Sequence, residues 1–285
     1  MLGKLLKYEF VATSRFFIIT YPAIIVLALL NRIFISSGIN SSELVGNSYW
    51  FSIFTALSMT LYVGITCAVL VGTTILMMQR FYKNMFGDEG YLMHTLPVEP
   101  WQHILSKVLV SAVWMFASFV MTVLSVLILS YGMIPREVMA EFMVEFNAAF
   151  SLIGLSTATF WSKIAISMFF SLFVYMLPLY AAITIGQFWR KHRIFGAVLA
   201  YIGISTVSQM LSGVVMQIHG MFWRQSDIDV EKYFYFGVND EFALNFSVEK
   251  YFNSIMLSSL LLSLLLSVGL FFLTNYLLKR KLDLE

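Results

Sequence analysis

The chain has 285 residues, 59% of them apolar and 12% charged, with a mean hydropathy of +0.81. Soluble domains lie nearer about 45–50% apolar and about 25% charged, so a water-soluble globular fold is excluded. The net charge of +2 gives no argument for a nucleic-acid partner, and the one cysteine, Cys67, excludes an intrachain disulfide and any CxxC or Cys/His zinc spacing.

Residues 1–15 place Lys4 and Lys7 ahead of an apolar stretch, as a signal peptide would, but Glu9 and Arg15 interrupt it and no small-x-small cleavage site follows. Leu2, Leu5, Leu6, Phe10 and Thr13 recur at helical spacing, with Lys4, Lys7 and Arg15 available to anionic headgroups. An amphipathic helix lying on the membrane surface is expected here, the alternative being a frayed, solvated leader. Six apolar runs follow, at 16–35, 51–78, 108–131, 164–189, 194–218 and 252–278. About 20 helical residues cross the hydrocarbon, whereas barrel strands need only about 10 and alternate in polarity. Each run is therefore predicted to be a membrane-spanning helix. The last five contain no Asp, Glu, Lys or Arg; the first carries Asn31 and Arg32 near its end, where a long side chain snorkels to the interface.

The second run carries Gly64, Ala68 and Gly72 four residues apart, a small-residue ridge that lets helices approach closely in lipid. Gly196 and Ala200 repeat the pattern in the fifth run, and Ser259, Ser263 and Ser267 in the sixth, where packing within one subunit is the preferred reading. Hydroxyls along the second run, with Ser205, Thr206, Ser208 and Gln209 of the fifth, either line a mildly polar substrate path or bond back to their own helices. The second and fifth runs, through Gly64, Ala68, Gly72, Ser205 and Gln209, are the candidates for a dimer seam or conduit.

Between the second and third runs lies the most punctuated stretch of the chain, within 79–107. Phe81, Tyr82, Met85 and Phe86 continue the helix of the second run. Gly87 ends it in the role of a C-cap glycine. Asp88 is a good N-cap for a short helix, with Glu89 in its first turn. Tyr91, Leu92 and Leu96 form its apolar surface and Pro97 stops it. Pro100 suits the first turn of the next helix, behind Glu99 as a weak cap. A knob of this kind either transmits a push from a soluble partner or is an ordinary capped loop.

The remaining loops are 36–50, 132–163, 190–193 and 219–251. After Pro135, Glu137, Glu141 and Glu145 form an acidic stripe opposite an apolar face of Val138, Met139, Phe142, Met143, Phe146 and Phe150. This predicts an amphipathic helix whose stripe is either a solvated face or a site for something cationic. Residues 219–251 are rich in aromatics, including Phe222, Trp223 and Tyr233–Phe236, and are expected to hug the interface or partly re-enter it.

Six spans put both termini on one side, and that side holds 12 of the 18 Lys and Arg residues. The excess predicts that it is cytoplasmic. The inner segments carry +6 and the outer ones −4. The expected fold is an all-α integral membrane protein of six transmembrane helices with an N-terminal interfacial helix, a cytoplasmic helix between spans two and three, and extracellular loops at 132–163 and 219–251. The histidines (His94, His103, His192 and His219) are scattered and form no metal motif. There is no HExxH, no GxSxG and no pair of intramembrane carboxylates to serve an enzyme.

The segment FYKNMFGDEGYLMHTLPVEPWQHILSK, 81–107, resembles the first inner loop of bacterial permease subunits of the type-2 ABC exporter superfamily. Phe86, Asp88, Glu89, Gly90, Tyr91, Leu92, Thr95, Leu96, Pro97, Val98, Ser106 and Lys107 carry the resemblance. The opening MLGKLLKYEF and the closing NYLLKRKLDLE are similar to that family's ends as well. The resemblance implies a plasma-membrane permease that pairs with a second copy or a related permease. It implies a coupling helix, Asp88, Glu89, Gly90, Tyr91, Leu92, Thr95 and Leu96, seated in a separate ATPase subunit that binds ATP and Mg. The chain has no G-x-x-x-x-G-K-[ST] and is expected to bind no nucleotide itself. The implied task is export of an amphipathic or hydrophobic substrate such as an antimicrobial peptide or drug. The alternative is a non-transport membrane scaffold or an intramembrane enzyme.

Overall fold

Hydrocarbon offers a peptide group no water to bond, so an apolar run must close its hydrogen bonds within itself, as a helix does. In the computed structural model every regular element among the described residues is an α-helix. Those residues are 2–40, 49–87, 90, 98–131, 135–152, 157–189, 191–224 and 241–280. In chain order the helices are α1 (Leu2–Asn40), α2 (Tyr49–Phe86), α3 (Pro100–Ser130), α4 (Arg136–Leu152), α5 (Thr157–Gly186), α6 (Arg193–Arg224) and α7 (Glu241–Arg280). All but α4 are long and apolar enough to cross a membrane, and the protein is a multi-pass membrane protein.

The helices exceed the predicted runs. α2 has 38 residues, about 57 Å at about 1.5 Å per residue, against a hydrocarbon of about 30 Å. Its extension to Phe86 is the one that Phe81, Tyr82, Met85 and Phe86 predict. α7 starts at Glu241, well before the expected 252. α1 departs most from expectation. Its 39 residues run unbroken from Leu2, and the leader is not a separate surface helix. The segment has no proline before Pro22 to end a turn. Its inward stripe also continues through the supposed boundary: Glu9, Thr13 and Phe17 are all buried.

The described chain divides into two compact units, with the boundary after Arg136. The first holds α1, α2 and α3, with α2 antiparallel to the other two. Its apolar centre is Ile24, Ala28, Tyr62 and Val69, flanked by Leu27, Met59, Ile128 and Leu129. Trp114 of α3 stacks on Phe10 and Phe17 of α1, with centroids 4.6 Å and 4.1 Å away. Polar contacts join the three helices at successive levels. Tyr21 and Thr73 each share a hydrogen bond with Ser118, both at 2.9 Å, and Tyr62 shares one with Ser125 at 2.9 Å. Asn31, fully buried, donates to the Ser58 carbonyl at 3.1 Å and accepts from the Ser58 hydroxyl at 2.8 Å. Arg32 donates to the Ile128 carbonyl at 3.5 Å and lies 4.5 Å over the Tyr131 ring. In lipid such bonds contribute little each, about 0.6 kcal/mol on average, but a register slip would orphan several at once.

The second unit holds α4 to α7. α5 and α6 form a tight hairpin whose contact needs glycine. A Cβ on Gly186 would stand 2.6 Å from the Ala197 nitrogen, and one on Gly196 2.4 Å from the Trp189 ring. The Gly196 end of the predicted ridge is therefore consumed inside the chain. α7 is tied to α5 by Lys163, which donates to Asn253 at 2.6 Å. Ser267 of the serine ridge is buried and bonds back to the Ser263 carbonyl at 2.7 Å.

Candidate functional site

The loop 79–107 is rooted on the C-terminal end of α2 and the N-terminal end of α3. α2 carries Phe81 and Met85 fully buried to its last turn. It ends at Phe86, and the Gly87 amide donates to the Lys83 carbonyl at 3.1 Å. A Cβ on Gly87 would lie 2.7 Å from that carbonyl oxygen, and one on Gly90 2.8 Å from the Met85 oxygen. Both positions exclude a side chain because backbone cannot yield as a side chain can. Gly90 is helical and buried, and its amide donates to the Gly87 carbonyl at 2.8 Å. On the return, Pro100 opens α3 at its first turn as predicted, with Glu99 as the N-cap residue. The Glu99 carboxylate makes no cap bond; it accepts instead from the Trp101 indole at 2.7 Å.

At this root lies a buried ion cluster that the sequence reading missed. Glu9 of α1 pairs with Lys107 of α3 through Oε1 and with Arg80 of α2 through Oε2 at 3.5 Å. Asn84 donates to the same Oε1 at 3.1 Å. Lys107 and Asn84 are 5% and 6% exposed and Glu9 is 8% exposed. One carboxylate thus holds two cations, one from each helix that bounds the loop. At about 4 Å, opposite charges attract by about 4 kcal/mol at an effective dielectric of 20, and desolvation takes much of it back. What the cluster contributes is definition: it fixes α1 against both roots of the loop. Glu9 lies one helical turn from Leu5 and from Thr13, on the inward stripe, and a lone acid there was the available clue.

The other candidate residues divide as follows. Asp88, Glu89, Tyr91, Leu92, Thr95 and Leu96, the greater part of the expected coupling helix, lie outside the described residues, as do residues 225–240 of the aromatic loop. In the first unit, Gly64 and Ala68 are exposed and nothing comes within 4 Å of a Cβ on Gly64, while Gly72 faces the Phe16 ring of α1 at 3.8 Å. The hydroxyls of α2 bond back to their own helix: Thr55, Thr60, Thr66, Thr73 and Thr74 each donate to the carbonyl four residues earlier. In the second unit, Ser205 is half-buried and Gln209 exposed, and Thr206 bonds to the Ile202 carbonyl at 2.8 Å. The helix expected after Pro135 is α4. Glu137, Glu141 and Glu145 are exposed along it, and so are Val138, Met139, Phe142 and Met143. Comparison of the chain with models of protein families, with characterised proteins and with solved structures finds no match.

Proposed function

We propose that this chain is the membrane-spanning subunit of an ATP-driven exporter of the type-2 ABC class. The loop 79–107 is cytoplasmic and receives the motion of a separate ATPase subunit through Asp88 to Leu96, and the substrate is amphipathic or hydrophobic. The single observation that carries the reading is the loop itself: a motif resembling that family's inner loop, closed by Lys107, whose ammonium is clamped by Glu9. A loop that transmits force needs roots that do not give. Arg80 and Lys107 tie its two ends to one carboxylate on α1. The six apolar helices are in keeping with the same reading.

The test is co-expression with a candidate P-loop ATPase, purification of the complex, and measurement of ATP hydrolysis and transport together. Wild type is expected to retain the ATPase subunit. Glu89→Lys is expected to lower transport at least about tenfold, the effect of about 1.4 kcal/mol on a coupling step, while ATP hydrolysis continues. A chain that recovers no ATPase partner, or a Glu89→Lys complex with wild-type transport, defeats the proposal.

A further inference from the structure

The outward faces of α1 and α3 enclose an open groove of about 440 Å³ in the first unit. It is lined by Lys7 and by apolar side chains that include Leu6, Phe10 and Val11 of α1 and Val110 and Val113 of α3. Its floor is stiff, because Phe10 stacks on Trp114, which stacks in turn on Phe17. The lining is apolar, and Lys7 contributes its aliphatic stem to it.

Along α1 the exposed charge beside the groove has one sign for a structural reason. Glu9 is the only carboxylate in residues 1–40, and it turns inward to Arg80 and Lys107. Lys4, Lys7 and Arg15 are left exposed. Among the described residues no carboxylate pairs with any of the three. Lys4 precedes Lys7 by three residues and so lies beside it on the same helix face. The surface is apolar along the groove and positive at its N-terminal end.

We infer that this groove holds one anionic phospholipid, with an acyl chain along Phe10, Val11, Val110 and Val113 and the phosphate at Lys7 with Lys4 beside it. A zwitterionic lipid brings its own cation to the lysines and gains less. A lysine near an anionic lipid surface favours it by about fivefold. The inference is independent of the proposed transport function.

The full chain in nanodiscs, with Trp114 as its one tryptophan and Trp50, Trp101, Trp161, Trp189 and Trp223 replaced by Phe, tests it. Phosphatidylglycerol with brominated acyl chains is expected to quench Trp114 at about fivefold lower mole fraction than the equivalent brominated phosphatidylcholine. Lys7→Glu is expected to abolish the difference and Lys7→Arg to keep it. Should the multiple replacement not fold, native mass spectrometry of the otherwise wild-type chain serves instead. One phosphatidylglycerol is expected to be retained through delipidation, and lost in Lys7→Glu. Equal quenching by the two lipids, or a preference or retention unchanged in Lys7→Glu, overturns the inference.

Discussion

At the scale of single residues, Glu9 is the side chain on which most depends. It is the shared partner of Lys107, Arg80 and Asn84, and removing one member of a buried ion pair costs about 3–5 kcal/mol because the remaining charge stays buried. Glu9→Ala is therefore expected to lower thermal stability in detergent by about that amount, whereas Lys7→Ala, exposed on the same helix, is expected within about 0.5 kcal/mol of wild type. Lys107→Met in the Glu9→Ala background is expected to restore part of the loss, since it removes an uncompensated charge. A double-mutant cycle on the two positions should read a coupling of about 0.5–3 kcal/mol. Nothing in the local sequence announces these partners. Lys107 is 98 residues from Glu9 and Asn84 is 75, and only the packing of three helices brings them together.

At the scale of elements, long helices were legible because length and composition decide them, whereas their contacts were not. Pro100 and Gly87 mark helix ends by removing an amide or by excluding a side chain, and both act where the spacing places them. The 2–15 segment misled because its charges were taken to end the apolar run and set off a separate helix; the helix is continuous from Leu2, and Glu9 faces protein on the same stripe as Thr13 and Phe17. The α5–α6 hairpin offers the clearest test of element packing. Gly196→Leu drives a side chain into Trp189 and the Gly186 carbonyl, and overpacking of this kind costs about 1–3 kcal/mol. Gly213→Leu, on the same helix, meets nothing within 4 Å. The expected outcome is a clear fall in folded yield and melting temperature for the first substitution and neither for the second.

At the scale of the whole molecule, the proposed exporter requires a second permease, and the small-residue ridge of α2 is the place to look for it. Gly64 and Ala68 are uncovered, but Gly72 is met by Phe16 of the same chain. In a Cys67→Ser background, Gly64→Cys and Ala68→Cys are expected to crosslink two copies and Gly72→Cys is not. No crosslink at either of the first two would remove α2 from the seam. On α4, the exposed stripe of Glu137, Glu141 and Glu145 is the part suited to a cationic substrate. Neutralising all three to Gln is expected to change the resistance of expressing cells to cationic amphipathic peptides at least about twofold, the effect of about 0.4 kcal/mol. An unchanged inhibitory concentration would make the stripe a solvated face.

The sequence by itself determined that the chain is helical, that six of its helices are long and apolar enough to span a membrane, and where several of them begin and end. In hydrocarbon each segment must satisfy its own backbone, so the decision is made locally, residue by residue along the run. The tertiary structure alone decided which polar side chains are spent inside the protein. Glu9 closes on Arg80 and Lys107, Asn31 on Ser58, and Ser118 on Tyr21 and Thr73. Those pairings depend on the rotation and height at which separate helices meet, and neither quantity is written in the composition of any one of them.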